Sequence, residues 1–160
     1  MRTLILMRHA KAQSPTPSTD DHDRQLAPRG QRAAEAMAHW MEATGHRPDK
    51  AICSTAARAH ETARIVCATL AQAPPTAIPD LYMPTSDDIF TAIAGSDARS
   101  LLVVSHNPTC ESFVHHTTGA FEVMPTASVA VIRFDVDEWS DSLLTRSGSL
   151  EALQRPRDLG

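Results

Sequence analysis

Three short clusters suited to holding an anion stand directly after aliphatic runs: Arg8-His9 after residues 3 to 7, Ser54-Thr55 with Arg58 after residues 51 to 53, and His106-Asn107 after residues 101 to 104. An arginine presents a planar fork of donors that fits two oxygens of a phosphate, and a histidine adds a donor or a nucleophilic nitrogen. Arg8, Arg58 and His106 together are suited to neutralise the equatorial oxygens of a phosphoryl group, which is most of what phosphoryl transfer asks of a protein. His9, with an unperturbed pKa of about 6.5, is largely neutral at pH 7 and can attack phosphorus through one ring nitrogen while the other donates to a backbone carbonyl. The expected ligand is a phosphoryl group or another oxyanion, bound without a metal or any other cofactor.

For the clusters to meet, the runs before them must be neighbouring strands. Residues 3 to 7 and 101 to 104 are unbroken apolar stretches, the pattern of strands buried on both faces. Between them the spacing is helical: Ala33, Ala34, Met37, Trp40 and Met41 before a capping Gly45, then Ala59, Ala63, Val66 and Leu70 on one face. Ser54-Thr55 reads as an N-cap pair, Ser86-Asp87-Asp88 as a helix start, and Asn107 as an N-cap with Pro108 at the first helical position of a helix reaching about Thr118. The Pro-rich residues 74 to 84 read mostly as loop around a short strand at 76 to 78. Residues 128 to 134 form a strand expected to be antiparallel, because residues 119 to 127 are too few for a helical crossover. The fold class expected is α/β: three layers, a mostly parallel sheet with one antiparallel strand, and helices on both faces. From residue 140 the chain is polar and weakly patterned, with at most one edge strand and a loose tail from about residue 147. In such sheets ligands sit outside the carboxyl ends of the strands, where helix N-termini also point.

Length and composition narrow the field. The 160 residues predict a single domain spanning 1 to 160, and 42% hydrophobic with 21% charged residues is an ordinary globular balance. A net charge of −4 argues against nucleic acid as the main partner, so an anion must be held by local charge. The longest purely apolar runs are about four residues against roughly 20 for a membrane span. The first residues imitate a signal peptide, with small Ala10 and Ala12 near a cleavage-like site, but the apolar part is stopped by Arg8 well short of an h-region. Three cysteines, Cys53, Cys67 and Cys110, are an odd set that favours a reducing cytoplasm.

Arg8-His9-Ala10, then Ser-Thr-Ala-Ala-Arg-Ala-His-Glu-Thr-Ala from Ser54 to Ala63, then Ser105-His106-Asn107-Pro108 resemble, in kind and order, the motifs of the histidine phosphatase superfamily. Arg-His-Ala-Lys-Ala, the segment Asp23-Arg24-x-Leu26-x-x-Arg29-Gly30 and the His-Asn-Pro step are similar to the SixA-type phosphohistidine phosphatases, over residues 1 to 135. The resemblance implies that His9 is transiently phosphorylated, that Arg8, Arg58 and His106 form the phosphate pocket with Asn107 at its edge, and that water then releases phosphate. Ala10 and Ser105 stand where glycine is common in the superfamily.

Larger members of that superfamily carry a carboxylic acid that protonates an alkoxide leaving group. Asp80, Asp20, Asp21 and Asp23 are the candidates here, and spacing singles out none. A positioned acid speeds departure of an alkoxide by about 10²–10⁴-fold, whereas imidazole leaves phosphohistidine far more readily. The expected substrate is therefore a phosphohistidine-bearing protein of signal transduction, a phosphotransfer domain or a phosphocarrier. The alternatives are a small-molecule phosphomonoesterase and a phosphate-binding module without turnover. His106 and Cys110 have the i, i+4 spacing of a metal pair, but no carboxylate motif accompanies them. His60, His115 and His116 read as capping or solvated groups, and Lys11 as either a source of positive potential or a solvated loop residue.

Overall fold

A computed structural model describes residues 1 to 159. β1 (Arg2–Arg8), β2 (Lys50–Ser54), β3 (Thr76–Ile78), β4 (Ser100–Ser105), β5 (Val129–Phe134) and β6 (Ser149–Gln154) form one sheet in the order β3-β2-β4-β1-β5-β6. β1, β2, β3 and β4 pair in parallel, and β5 runs antiparallel to both β1 and β6. The expected architecture, a mostly parallel α/β sheet with one reversed strand, is what the chain adopts.

Strand periodicity divides the core. Ile5, Met7, Leu102 and Val104 point to one face, under α1 (Pro28–Thr44) and α2 (Ala57–Thr69). Leu4, Leu6, Leu101 and Val103 point to the other, under α3 (Ser86–Ala94) and α4 (Thr109–Thr118). Burial on both faces is why β1 and β4 read as continuous apolar runs.

The adjacent strands β1 and β4 send their following helices to opposite faces, α1 to one and α4 to the other. The crevice this opens at their carboxyl ends is where open α/β sheets bind ligands. It brings Arg8-His9 beside Ser105-His106.

Three local expectations are corrected. Ser54-Thr55 does not cap α2: Ala56 is the N-cap, without a side-chain bond, and Ser54 Oγ instead accepts the Ala56 N–H at 3.1 Å. Asn107 is not the N-cap residue of α4, which begins at Thr109 with Pro108 before it; its Oδ1 still accepts the Glu111 N–H at 3.4 Å, while its amide donates to Glu111 Oε1 and the Met124 carbonyl. The chain from residue 147 is not loose: it forms β6, and Leu159 packs on the face under α1. A register shift opposite Val131/Ile132 breaks the two-residue alternation that would have marked that strand in the sequence.

The loop between β1 and α1 is closed by a bridge between Ala12 and Leu26, with the Ala27 N–H on the Lys11 carbonyl at 2.9 Å. Gly30 seats α1 against it. A Cβ on Gly30 would stand 2.1 Å from the Lys11 carbonyl oxygen, so the backbone itself would have to shift. Gly30→Ala is expected to cost about 1–3 kcal/mol in urea unfolding; an unchanged midpoint would show that the loop gives way freely.

Candidate active site

Arg8 closes β1, where its backbone pairs with Ser105 and its Nη1 donates to the Met124 carbonyl at 3.1 Å. His9 follows, with its N–H on the Ser105 carbonyl at 3.0 Å. Its Nδ1 lies 2.8 Å from the Ala10 carbonyl oxygen. A carbonyl only accepts, so Nδ1 carries the proton and Nε2 keeps the lone pair. Ala10 is buried and is itself fixed by its N–H on Thr62 Oγ1 at 3.0 Å.

His106 closes the other side of the crevice, its ring centroid 5.1 Å from that of His9. Its Nε2 is 2.8 Å from Ser54 Oγ. That oxygen also accepts the Ala56 N–H; where the Ser54 hydroxyl donates to Nε2, a neutral His106 carries its own proton on Nδ1. Ser105, in a place where glycine is common, uses its hydroxyl to bond the Leu81 carbonyl at 2.9 Å.

Arg58, in the first turn of α2, donates from Nη1 to the Asp21 carbonyl (2.8 Å) and from Nη2 to Asp21 Oδ2 (3.1 Å). Asp21 is a hub. Tyr82 OH reaches Oδ2 at 2.7 Å, and Arg24 reaches Oδ1 from Nε at 3.2 Å and Nη2 at 3.0 Å. The Tyr82 hydrogen bond, then those from Arg24 and Arg58, hold the Asp21 carboxyl far below the usual carboxylate range. A group held as carboxylate cannot donate a proton, which removes Asp21 as a general acid.

These residues enclose a cavity of about 460 Å³, lined by Arg8, His9, Arg24, Arg58, His106 and Asn107 together with Met83, Pro84, Pro108 and Thr109. Among the described residues, no carboxylate lines it: Asp20, Asp21, Asp23 and Asp80 all stand outside. Arg8 and Arg58 each keep a buried Nε without a hydrogen-bond partner among the described residues. Asn107 lines the cavity, but both N–H bonds of its amide are committed, to Glu111 Oε1 and the Met124 carbonyl, each at 3.0 Å. It shares that carbonyl with Arg8 and so steadies the guanidinium instead of offering a donor of its own.

The structure thus brings together Arg8, His9, Arg58, His106 and Asn107, and adds Arg24, Ser54, Asp21 and Tyr82. The three-residue step from Asp21 to Arg24 is a signal for a paired turn; nothing local marks Tyr82, 61 positions from its partner. Cys110 is fully buried in the core, away from the Nε2 of His106, and no group of three or more metal-ligating side chains occurs among the described residues. No helix among the described residues is long and apolar enough to cross a membrane.

Burial lowers the pKa of His9 to about 4, against the Ala10 hydrogen bond that raises it and with Arg58 and Arg8 adding to the fall. Burial, then His9 and Arg58, lowers that of His106 to about 3. Both rings are neutral at pH 7. In the unfolded chain they bind protons near pH 6.5, in the folded chain only near pH 4 or below. Their contribution to stability is therefore complete above about pH 6.5 and is lost as pH falls toward 4, at about 1.4 kcal/mol per pH unit for each ring. A His9→Asn variant should show a correspondingly shallower decline in urea titrations between pH 6.5 and 4, and nitrogen NMR should find His9 neutral at pH 5. An inflection at 6.5 would contradict the buried, neutral ring.

A family model of the histidine phosphatase superfamily (branch 1) matches residues 4–82. An uncharacterized protein of Mycobacterium tuberculosis is 34% identical over 155 residues, covering 84% of this chain and 90% of that one. Among solved structures, one described as "putative phosphohistidine phosphatase SixA" from Nakamurella multipartitia is 32% identical, with a TM-score of 0.80 over 97% of this chain and 96% of that one. This chain belongs to the histidine phosphatase superfamily. A structure of the protein histidine phosphatase SixA complexed with tungstate shares the fold, with a TM-score of 0.83 at 20% identity over 99% of each chain. Arg8-His9 lies within the matched residues, at the carboxyl end of a central strand and beside His106.

Proposed function

We propose that this chain is a phosphohistidine phosphatase that works through a phosphorylated His9 and needs no metal, residues 1 to 160 acting as one catalytic domain. The observation that carries the reading is the cavity wall: guanidinium groups from Arg8, Arg24 and Arg58 and imidazoles from His9 and His106, without a carboxylate among the described residues. The guanidiniums hold the equatorial oxygens, and His106 Nδ1–H supplies a further donor. His9 Nε2 attacks phosphorus as the bond to the leaving nitrogen breaks. With the distal nitrogen of the substrate ring protonated, the departing group is neutral imidazole and requires no acid from the enzyme. The Nδ1–H bond to Ala10 keeps the His9 ring cationic once phosphorylated, so water can attack phosphorus and neutral His9 leaves in turn; the water's proton passes to phosphate or solvent. The tungstate bound by the SixA relative suits an oxyanion here too.

A cavity bordered by the exposed Met83 and Pro108 lets a histidine on another protein's surface approach, and free buried cysteines suit a reducing cytoplasm. The test compares hydrolysis of a histidine-phosphorylated phosphotransfer domain with that of a panel of sugar phosphates. Faster release from the phosphoprotein is expected. Strong preference for the esters would make this a small-molecule phosphomonoesterase; tungstate binding without release from any substrate would make it a binding module.

A further inference from the structure

One stretch of the cavity wall has a different chemistry. Met83, Pro84, Pro108 and Thr109 line it, and Met83 is 76% exposed, a large apolar side chain at the mouth of a charged cavity. Its backbone is left-handed, with φ 49°, as it is at three other non-glycine residues among those described, Ala71, Ala127 and Arg146. The segment is held there from three directions. Ser105 Oγ bonds the Leu81 carbonyl at 2.9 Å, Tyr82 OH bonds Asp21 at 2.7 Å, and Thr109 Oγ1 bonds the Pro84 carbonyl at 2.6 Å. The bonds come from the end of β4, the loop after β1 and the start of α4, so Met83 is presented on a rigid support built from the same elements as the anion site.

We infer that Met83, with Pro108, is a leaving-group subsite that takes the flat ring to which the phosphoryl group is attached. The inference rests on the phosphohistidine reading for the identity of that ring, an imidazole, but its chemistry is that of any small aromatic ring. A polarizable thioether sits well against a ring edge, and the exposed Pro108 offers a shelf that loses no conformational freedom on contact. A polyhydroxy alcohol would find no hydrogen-bonding partner on Met83, Pro84 or Pro108 beyond backbone groups. The guanidiniums grip what all substrates share; this wall selects by what departs.

Phenylphosphonate and methylphosphonate test it by calorimetry, since both present a phosphoryl-like head on a P–C bond that is not cleaved. The unaltered protein should bind phenylphosphonate about three- to tenfold more tightly, the scale of a sulfur–aromatic contact. Met83→Ala should abolish the preference while leaving methylphosphonate affinity unchanged. Met83→Asn, a residue that tolerates the left-handed backbone, should do the same and guards against a folding defect in the first variant. Preference retained in both variants, or equal weakening of both ligands, would overturn the subsite. Because the readout is binding, it stands apart from turnover of phosphohistidine: failure there, with the phenyl preference intact, would sink the substrate assignment and not the subsite.

Discussion

Replacing His9 by alanine is expected to abolish turnover, by about 10⁴-fold or more, the order seen when a covalent nucleophile is removed. The variant keeps Arg8, Arg24, Arg58 and His106 in the wall, so it should still bind tungstate or phosphate. Binding retained and chemistry lost is the signature of a nucleophile as opposed to a ligand. In the unaltered enzyme, rapid quenching into alkaline denaturant should trap a phosphate that is stable to base and labile to acid, as a phosphoramidate is. Residual activity in His9→Ala within tenfold of normal, or no such adduct, would mean that water attacks directly. His106 is not placed to substitute, because its Nε2 is engaged by Ser54.

Arg58→Ala should cost about 3–5 kcal/mol of transition-state stabilisation, roughly two to four orders of magnitude in kcat/KM. Arg58 is 7% exposed and spends Nη1 and Nη2 on Asp21, leaving its buried Nε as the unpaired donor. A lysine at this position cannot face Asp21 twice and the ligand once, so Arg58→Lys should recover little. Since Asp21 also ties Arg24 and Tyr82, the Asp21→Asn change combined with Arg58→Ala should cost less than the sum of the two alone. Near-normal kcat/KM in Arg58→Ala would remove it from the site.

The central parts were legible because each residue there answers to one constraint. β1 and β4 are buried on both faces and so are aliphatic throughout, and their polar endings mark the carboxyl edge. The start of α2 was misread because the side chain that could cap had another use, Ser54 turning to His106, whereas α4 only begins one residue later than expected, with Asn107 Oδ1 accepting the Glu111 N–H. β6 is the one edge strand allowed after residue 140, but its bulge hid where that strand lies. The role of Asp21 was open in the sequence because its partners arrive from three places, Arg24 nearby but Arg58 and Tyr82 from across the sheet. Only tertiary neighbours decide whether such a carboxyl serves as acid or as anchor.

The chemistry occupies a single rim. The left-handed cap at Gly45, the turn at Gly95 and the strap from Arg2 to Asp97 and Asp137 all belong to the opposite end of the sheet. None of them touches the cavity wall. Insertions, grafted modules or surface redesign at that far end can therefore reshape the molecule's outline while phosphoryl transfer continues undisturbed, so the fold is free to acquire new neighbours without renegotiating its catalysis.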